Sequence, residues 1–498
     1  REQVIASYSK ADAWGEALRE SFMDCKVIVN EDRDQWGNAG TVITRKYSAS
    51  ALEGDGTISF SGFVNAQIII AGVVAPDGVI NRENNYDVRG NALKQTTYES
   101  FKDAYVYDIA KLEAGSAEYD VGQKRVITNE LYDRWDRVKR STVITYNSRR
   151  EFVDIQKIAY GEYDKFDNSL NQAIDAYSSA VLFTAETLIE HKTIANVYSG
   201  QAQGVDAVTI IAPDGITTSY TFDKYSLAGK AYDIYVNGEL KAADTDYTVN
   251  EATGAITLTG APAKGSAIDV RVAEGAVDGQ IAARRGNSIA TTVKRYRGPE
   301  ETDLIERQEV STGLIDRQGN VLRQISRTWV VDDTLVPAAE RLSRETVSES
   351  FAIDDRGDAG IRHVTSWKSS MSGSLMASSH QAITNRVFDG DHNVKDQKVL
   401  NYLFSDDEGT DKYLSDVQEI RTLSYDARGN AREQVIASYS KAEAWGEALK
   451  ESFMDCKVVK NEDPDLYGNF GKVTSKKYLD AALNADGTIS YSSFSNAQ

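Results

Sequence analysis

Apolar residues in this chain come in short runs rich in Val, Ile, Tyr and Phe, broken every few residues by Gly, Asp, Asn and Ser. Such punctuation predicts short strands and turns. The longest apolar run, Ile68 to Ala75, has eight residues and stops at Pro76-Asp77-Gly78. A membrane helix needs about twenty, so the run predicts a buried strand ended by a turn, with no membrane segment.

A turn motif recurs between the runs. Around Tyr425-Asp426-Ala427-Arg428-Gly429-Asn430 it reads Asp, Gly three later, Asn four later, often Gln eight later and an aromatic thirteen later. It returns from Asp34, Asp87, Asp133, Asp164, Asp316, Asp354, Asp389 and Asp465, with a degenerate copy at Ala283, Gly286 and Asn287. Asp at the first place bonds back to its own backbone, and Gly tolerates positive φ. Each motif therefore predicts a β-hairpin.

The aromatic is the steadiest feature: Tyr47, Tyr146, Tyr177, Tyr296, Trp329, Trp367, Tyr402, Tyr439 and Tyr478. In the copy at Asp87 the place holds Ser100, with Tyr98 and Phe101 beside it. One aromatic per hairpin predicts a packed ladder; a sugar-binding stripe is the alternative.

A longer period contains the shorter one. Residues 1–67 return as 432–498 with 47 of 67 positions identical and no gap, an offset of 431 residues. Tyr8 fits a further motif whose first half would precede Arg1, so a longer parent polypeptide is expected. Most motifs lie 31 to 39 residues apart, with steps of 46 and 53. Regular spacing of this kind predicts units that stack on their neighbours.

Helical connections are expected at Ala11 to Cys25, where Trp14, Leu18, Phe22 and Cys25 share a face, and at Ser178 to Glu190 and Leu335 to Arg344. The 119-residue gap between Asp164 and Ala283 carries other strands: Thr209 to Ala212, Tyr232 to Val236, Asp246 to Val249, Ala255 to Thr259 and Ala267 to Val272. Divided by Asn-Gly and Thr-Gly signals, they predict an inserted small β-sandwich at 205–273. The hairpin array then occupies 1–199 and 276–498, and the fold class is mainly β: hairpins stacked into a solenoid, tube or spiral shell with short helical connections.

Composition narrows the function. Hydrophobic residues make up 41%, enough for packed cores, while mean hydropathy is −0.44 and net charge −19. A surface so acidic repels phosphate backbones and anionic lipids, which argues against nucleic acid as partner. The two cysteines, Cys25 and Cys456, occupy one place in the two copies and read as small buried hydrophobes.

No nucleophile elbow, Walker loop, HExxH or paired CxxC occurs. The four histidines, His191, His363, His380 and His392, fall in unrelated stretches. An enzyme is not expected, and no cofactor is implied. The nearest approach to a ligand loop is Asp389-Gly390-Asp391-His392-Asn393, where Asp389, Asp391 and Asn393 are candidate calcium ligands. Calcium would want six to eight oxygens, and the turn alone explains the residues.

Leu423-Ser424-Tyr425-Asp426-Ala427-Arg428-Gly429-Asn430 and Asn85-Tyr86-Asp87-Val88-Arg89-Gly90-Asn91 resemble YD repeats of the Rhs, Tc-toxin and teneurin kind. That resemblance implies tandem hairpins spiralling into a shell or tube. The insert, through Tyr235-Val236-Asn237-Gly238-Glu239-Leu240, Asp246-Tyr247-Thr248-Val249 and Ile256-Thr257-Leu258-Thr259, is similar to small β-modules of phage tail fibres and bacterial surface proteins. Both point outside the cell, to the cell surface.

The expected function is structural: an extracellular filament, appendage or surface stalk displaying one β-module per period. Its partners would be neighbouring repeats of the same chain and lateral copies of the same protein. The alternatives are an adhesin whose insert binds a surface glycan or another cell, and an Rhs-like toxin shell.

Overall fold

The computed structural model describes all residues except 1, 9–21, 35–36, 54–56, 105, 180, 185–186, 199, 279–285, 333–338, 371–373, 442–451, 465–469, 485–486 and 498. The motif start at Asp465 and most of the helix expected at Ala11 to Cys25 lie outside the described residues.

Seven strands open the chain: β1 (Glu2–Tyr8), β2 (Phe22–Glu31), β3 (Thr41–Leu52), β4 (Ile58–Ala71), β5 (Val73–Val74), β6 (Ile80–Asn81) and β7 (Lys94–Ser100). The helix α1 (Ile109–Glu113) follows, then β8 (Val121–Tyr132), β9 (Val138–Tyr146), β10 (Phe152–Tyr160), β11 (Asn171–Tyr177) and β12 (Leu188–Val197). The insert holds β13 (Gln201–Ile211), β14 (Ser219–Thr221), β15 (Tyr232–Val236), β16 (Glu239–Leu240), β17 (Tyr247–Asn250), β18 (Ala255–Leu258) and β19 (Ala267–Asp278). The array resumes with β20 (Ala290–Tyr296), β21 (Leu304–Asp316), β22 (Val321–Asp332), β23 (Ala339–Ile353), β24 (Ala359–Ser369) and β25 (Leu375–Phe388). It continues through β26 (Val394–Phe404), β27 (Lys412–Tyr425), β28 (Ala431–Tyr439), β29 (Phe453–Pro464), β30 (Phe470–Leu483) and β31 (Ile489–Ala497).

Most of these strands form one antiparallel ribbon. Neighbours pair in order from β1 to β4, from β7 to β12 and from β20 to β31, with β4 joined to β7 and β12 to β20. The insert therefore leaves and returns without interrupting the array. Ile68, Ile70 and Val74, from the longest apolar run, are buried strand residues, as the pattern predicts.

The insert has two sheets around one core. β13, β19, β15 and β16 pair with one another and join the ribbon where β13 runs parallel to β21, and β14, β18 and β17 form a separate three-stranded sheet. Ile234, Ile268 and Val270 from the first meet Tyr220, Ile256 and Leu258 from the second in a shared cluster.

Where their residues are described, the expected helical connections are corrected; Leu335 to Ala338, like most of Ala11 to Cys25, lie outside the described residues. Phe22 and Cys25 belong to β2, where Cys25 faces Ala6 on one side and Tyr47 on the other. Leu188 to Glu190 open β12, and Ser179 Oγ accepts from the amides of Val181 and Leu182. Ala339 to Arg344 run in β23 in register with β22. Among the described residues the one helix is α1, in a connection the sequence pattern had not marked. Asp108 caps it by accepting from the amides of Ala110 and Lys111, and Leu112 is fully buried.

The ribbon also curls back on itself. Asp391 Oδ2 accepts from Ser148 Oγ at 2.6 Å, and Arg149 Nη2 donates to the Tyr425 carbonyl at 3.0 Å. Arg356 lies 3.8 Å over the Phe101 ring. Turns between late strands thus rest against the opposite ends of early ones.

Candidate functional site: the turn ladder and the docked insert

Each motif turn is closed by its own side chains. At the first copy the Asp34 amide donates to the Asn38 carbonyl at 2.9 Å, and Gly37 N donates to Asp34 O at 3.0 Å. The Asp34 carboxylate accepts from the Asn38 amide and from Asn38 Nδ2, both at 2.9 Å. The same four bonds recur from Asp87 to Asn91, Asp316 to Asn320 and Asp426 to Asn430. Two carboxylate oxygens and one side-chain amide make the turn self-sufficient.

The fourth place has positive φ whether or not it is glycine. Asp136, Asp167 and His392 stand there at φ 63°, 64° and 64°. In their turns the Asp carboxylate still gathers amides: Asp133 accepts from Arg137, Asp164 from Asn168 and Asp389 from Asn393. Asp354 accepts from the amides of Arg356 and Asp358.

Sequence reasoning missed one turn of this kind. Asn147 takes the Asp place, Arg150 has φ 64°, and Glu151 supplies the carboxylate that accepts from Asn147 Nδ2 at 2.8 Å. The bond is the same with donor and acceptor exchanged, so a search for hydrogen-bonding capacity rather than residue identity would have found it.

Successive motif turns touch. Asn91 Nδ2 donates to Asp136 Oδ1 at 2.9 Å, Arg137 meets Asp167 at 4.0 Å, and His392 Nδ1 meets Asp358 Oδ1 at 2.8 Å. At five other steps a glycine backs onto the Asn of the turn before: Gly90 on Asn38, Gly286 on Asn168, Gly319 on Asn287, Gly357 on Asn320 and Gly429 on Asn393. The uneven spacing in sequence becomes a continuous run of turn contacts in space, and it runs across the insert.

The thirteenth-place aromatics lie on the outgoing strands at places where the register slips. Irregularities fall at Tyr8, Tyr47, Tyr177, Tyr296, Trp329, Trp367, Tyr402, Tyr439 and Tyr478. Tyr146 faces Phe152 at another. Each pairs with a residue of the next strand, among them Phe63 for Tyr47, Leu342 for Trp329 and Phe453 for Tyr439. A bulge turns a side chain and raises the local twist, so the ring is both packing group and bend marker. Tyr47, Tyr177, Tyr296 and Tyr439 are buried, while Trp329 is half-buried under Arg307, whose guanidinium lies 3.9 Å from the ring.

The candidate calcium loop spends its oxygens on the fold. Asp389 accepts from the amides of Asp391 and Asn393, and Asp391 turns away to the amide and hydroxyl of Ser148, each at 2.6 Å. The three residues are neighbours, but the two carboxylates address different partners, and Asn393 Nδ2 donates to Asp389. Among the described residues, no group of three or more His, Cys, Asp or Glu side chains is placed to share a metal ion.

The insert is docked on the ribbon. Arg317, in the turn after β21, forms an ion pair with Asp206 at 2.9 Å, and its Nε donates to Glu274 Oε1 at 2.7 Å. Asp206 also accepts from Lys224 and from the Tyr225 hydroxyl, each at 2.7 Å. Asp206 and Arg317 are 1% and 3% exposed, so these charges sit in protein rather than water. Burial and the Asp206 charge push the Tyr225 phenol well above its usual range. A second contact packs Ala267 against Phe351 and Ile361, with Arg271 4.1 Å over the Phe351 ring and donating to the Ser350 carbonyl.

Other titratable groups are also closed into pairs. Arg386 and Arg421 bind Asp396 and Glu419, and Lys124 and the Tyr98 hydroxyl bind Glu113, both at 2.5 Å. Cys25 and Cys456 are free and fully buried, and burial pushes the Cys456 thiol up to about 11. No helix among the described residues is long and apolar enough to cross a membrane.

No protein-family model matches the chain, and none of the curated proteins does.

Proposed function

We propose that this chain is the repeating body of an extracellular filament, appendage or surface stalk: YD-like hairpins wound as a solenoid, with one β-sandwich module held per 431-residue period. One observation carries the reading. The two copies of the repeat form the same four strands in the same register at opposite ends of one ribbon. Val4 faces Val27 as Val435 faces Val458, Cys25 faces Tyr47 as Cys456 faces Tyr478, and both copies slip at the same tyrosine. A period that ends by rebuilding its own beginning is a unit of linear propagation.

The turn ladder supports the same reading. It makes each hairpin depend on its neighbours, which suits a load-bearing stack. Docking of the insert gives every period a fixed rather than trailing module. The test is electron microscopy of native material. A fibre with a regular long axial repeat and one module density per period is the expected result. Discrete hollow particles would overturn it in favour of a shell.

A further inference from the structure

Lys124 is the one lysine buried among the described residues, and it is buried against an acid. Its Nζ lies 2.5 Å from Glu113 Oε1, and the two side chains are 6% and 7% exposed. The ring centroids of Tyr98 and Tyr146 stand 6.0 Å and 5.2 Å from Nζ, and Leu112 beside Glu113 is fully buried. Two charges held out of water cost free energy that their attraction only partly returns. In the other buried ion pairs the cations are Arg317 and Arg421, and a guanidinium stays protonated. A lysine amine can instead give up its proton and act as a nucleophile.

The surroundings hold the pair in a reacting geometry. The Tyr98 hydroxyl donates to Glu113 Oε2 at 2.5 Å, which leaves Oε1 toward the amine. Burial, with the Glu113 carboxylate, pushes the Tyr98 phenol far above its usual range, so it stays a donor. Arg150 clamps the two segments together: its Nη2 donates to the Leu112 carbonyl at 2.7 Å and its Nη1 to the Gly122 carbonyl at 2.8 Å. Glu113 directly follows the first of those carbonyls, and Lys124 comes soon after the second. Two groups fixed in contact in this way react as if at very high concentration.

We infer that Lys124 and Glu113 are the site of an intramolecular isopeptide bond that joins α1 to β8. A proton passes from the Lys124 ammonium to the Glu113 carboxylate, and the free amine attacks Cδ. The Tyr98 hydroxyl stabilises the negative charge that gathers on Oε2. Oε1 then departs as water, carrying both protons that Nζ has lost. One amide forms, one water leaves, and no co-reactant is needed. The bond secures the seat of a turn from the late strands. A methyl group at Gly115, close after Glu113, would lie 2.8 Å from the Ser148 carbonyl, and Ser148 is where Asp391 rests. The inference is independent of the filament reading, since it concerns chemistry within one chain.

The test is mass spectrometry of the full chain after denaturation, followed by peptide mapping. The expected mass lies about 18 Da below that of the sequence, the loss of one water. Trypsin should release Leu112–Arg125 uncut after Lys124, and further cleavage after Glu118 should leave its two halves joined. Lys124→Arg keeps a cation but cannot condense, and should show the full mass of its sequence. Tyr98→Phe removes the donor to Oε2 and should slow the mass loss at least about tenfold. A parent chain of full mass that trypsin cuts after Lys124 would overturn the bond, as would a loss of water that persists in Lys124→Arg. Tyr98→Phe reacting as fast as the parent would overturn the hydroxyl's part in the step. The parent's mass and peptide map need no variant, so a substitution that fails to fold still leaves the bond decided.

Discussion

Asn393 and Gly429 belong to successive turns and stand against each other: a methyl group at Gly429 would lie 2.8 Å from Asn393 Oδ1. Gly429 also has φ 82°, a conformation that side chains with a Cβ adopt at a cost. Gly37 occupies the same place in the first turn of the ladder with φ 91° and nothing within 4 Å. The pair separates backbone strain from ladder contact.

Gly37→Ala should therefore cost only the backbone term, about 1–2 kcal/mol. Gly429→Ala should cost about 1 kcal/mol more, because Asn393 must give way. Urea denaturation of the two variants against the parent chain measures the difference. Equal losses would mean that the turns touch without depending on each other.

The buried charges at the insert make a sharper demand. Arg317→Met removes the guanidinium that faces Asp206 and Glu274, and leaves Asp206 with Lys224 and Tyr225. Removing one partner of a buried pair typically costs about 3–5 kcal/mol. The expected outcome is loss of the insert's protection, read as faster proteolysis within residues 205–273. Adding Asp206→Asn to Arg317→Met should recover part of the loss. An insert as resistant as before would show that the pairing of β13 with β21 and the contacts around Phe351 hold it without the Arg317 pair.

These contacts explain what the sequence revealed and what it hid. The motif turns were legible because Asp and Asn make the turn with their own side chains, so the chemistry is local. The aromatic place was legible for its constancy, yet the bulge was not, since a bulge exists only relative to a partner strand. Helical spacing at Phe22 and Cys25 misled because pairing with β1 and β3 outweighs a local period. Nothing near Arg317 or Asp206 in sequence marks the contact that buries both.

Acid should weaken the ribbon through His380. Burial, with the Lys412 and His363 charges, lowers its pKa from 6.5 to about 4. Thr365 Oγ1 lies 2.9 Å from its Nδ1, and its ring packs on His363 and Tyr402. The folded state favours the neutral ring, so its contribution is complete above pH 6.5 and is lost as pH falls from there toward about 4, amounting to about 3 kcal/mol at most. His392 runs the other way: its bond to Asp358 raises its pKa, so its contribution is present at low pH and lost as pH rises through the folded value. His380→Gln should flatten the acid limb of the stability profile between pH 6.5 and 4. An unchanged limb would assign acid sensitivity to the paired carboxylates.

Tyr8 and Tyr439 offer the most controlled comparison in the molecule, because they are the same residue in the same heptapeptide Glu-Gln-Val-Ile-Ala-Ser-Tyr. Each packs edge-on against the next phenylalanine, at 5.9 Å for Phe22 and 5.8 Å for Phe453, at the same slip in register. Tyr439 has Val417 beyond it and is buried, whereas among the described residues Tyr8 has β2 alone beside it and is half-buried. Truncating a buried aromatic to alanine costs about 3–5 kcal/mol, and Tyr439→Ala should fall in that range. Tyr8→Ala loses the ring contact but less buried area, and should cost about 1–2 kcal/mol less. Thermal unfolding of both variants reads this directly. Equal costs would mean that the β2 side alone determines the tyrosine's contribution, and that β27 adds none.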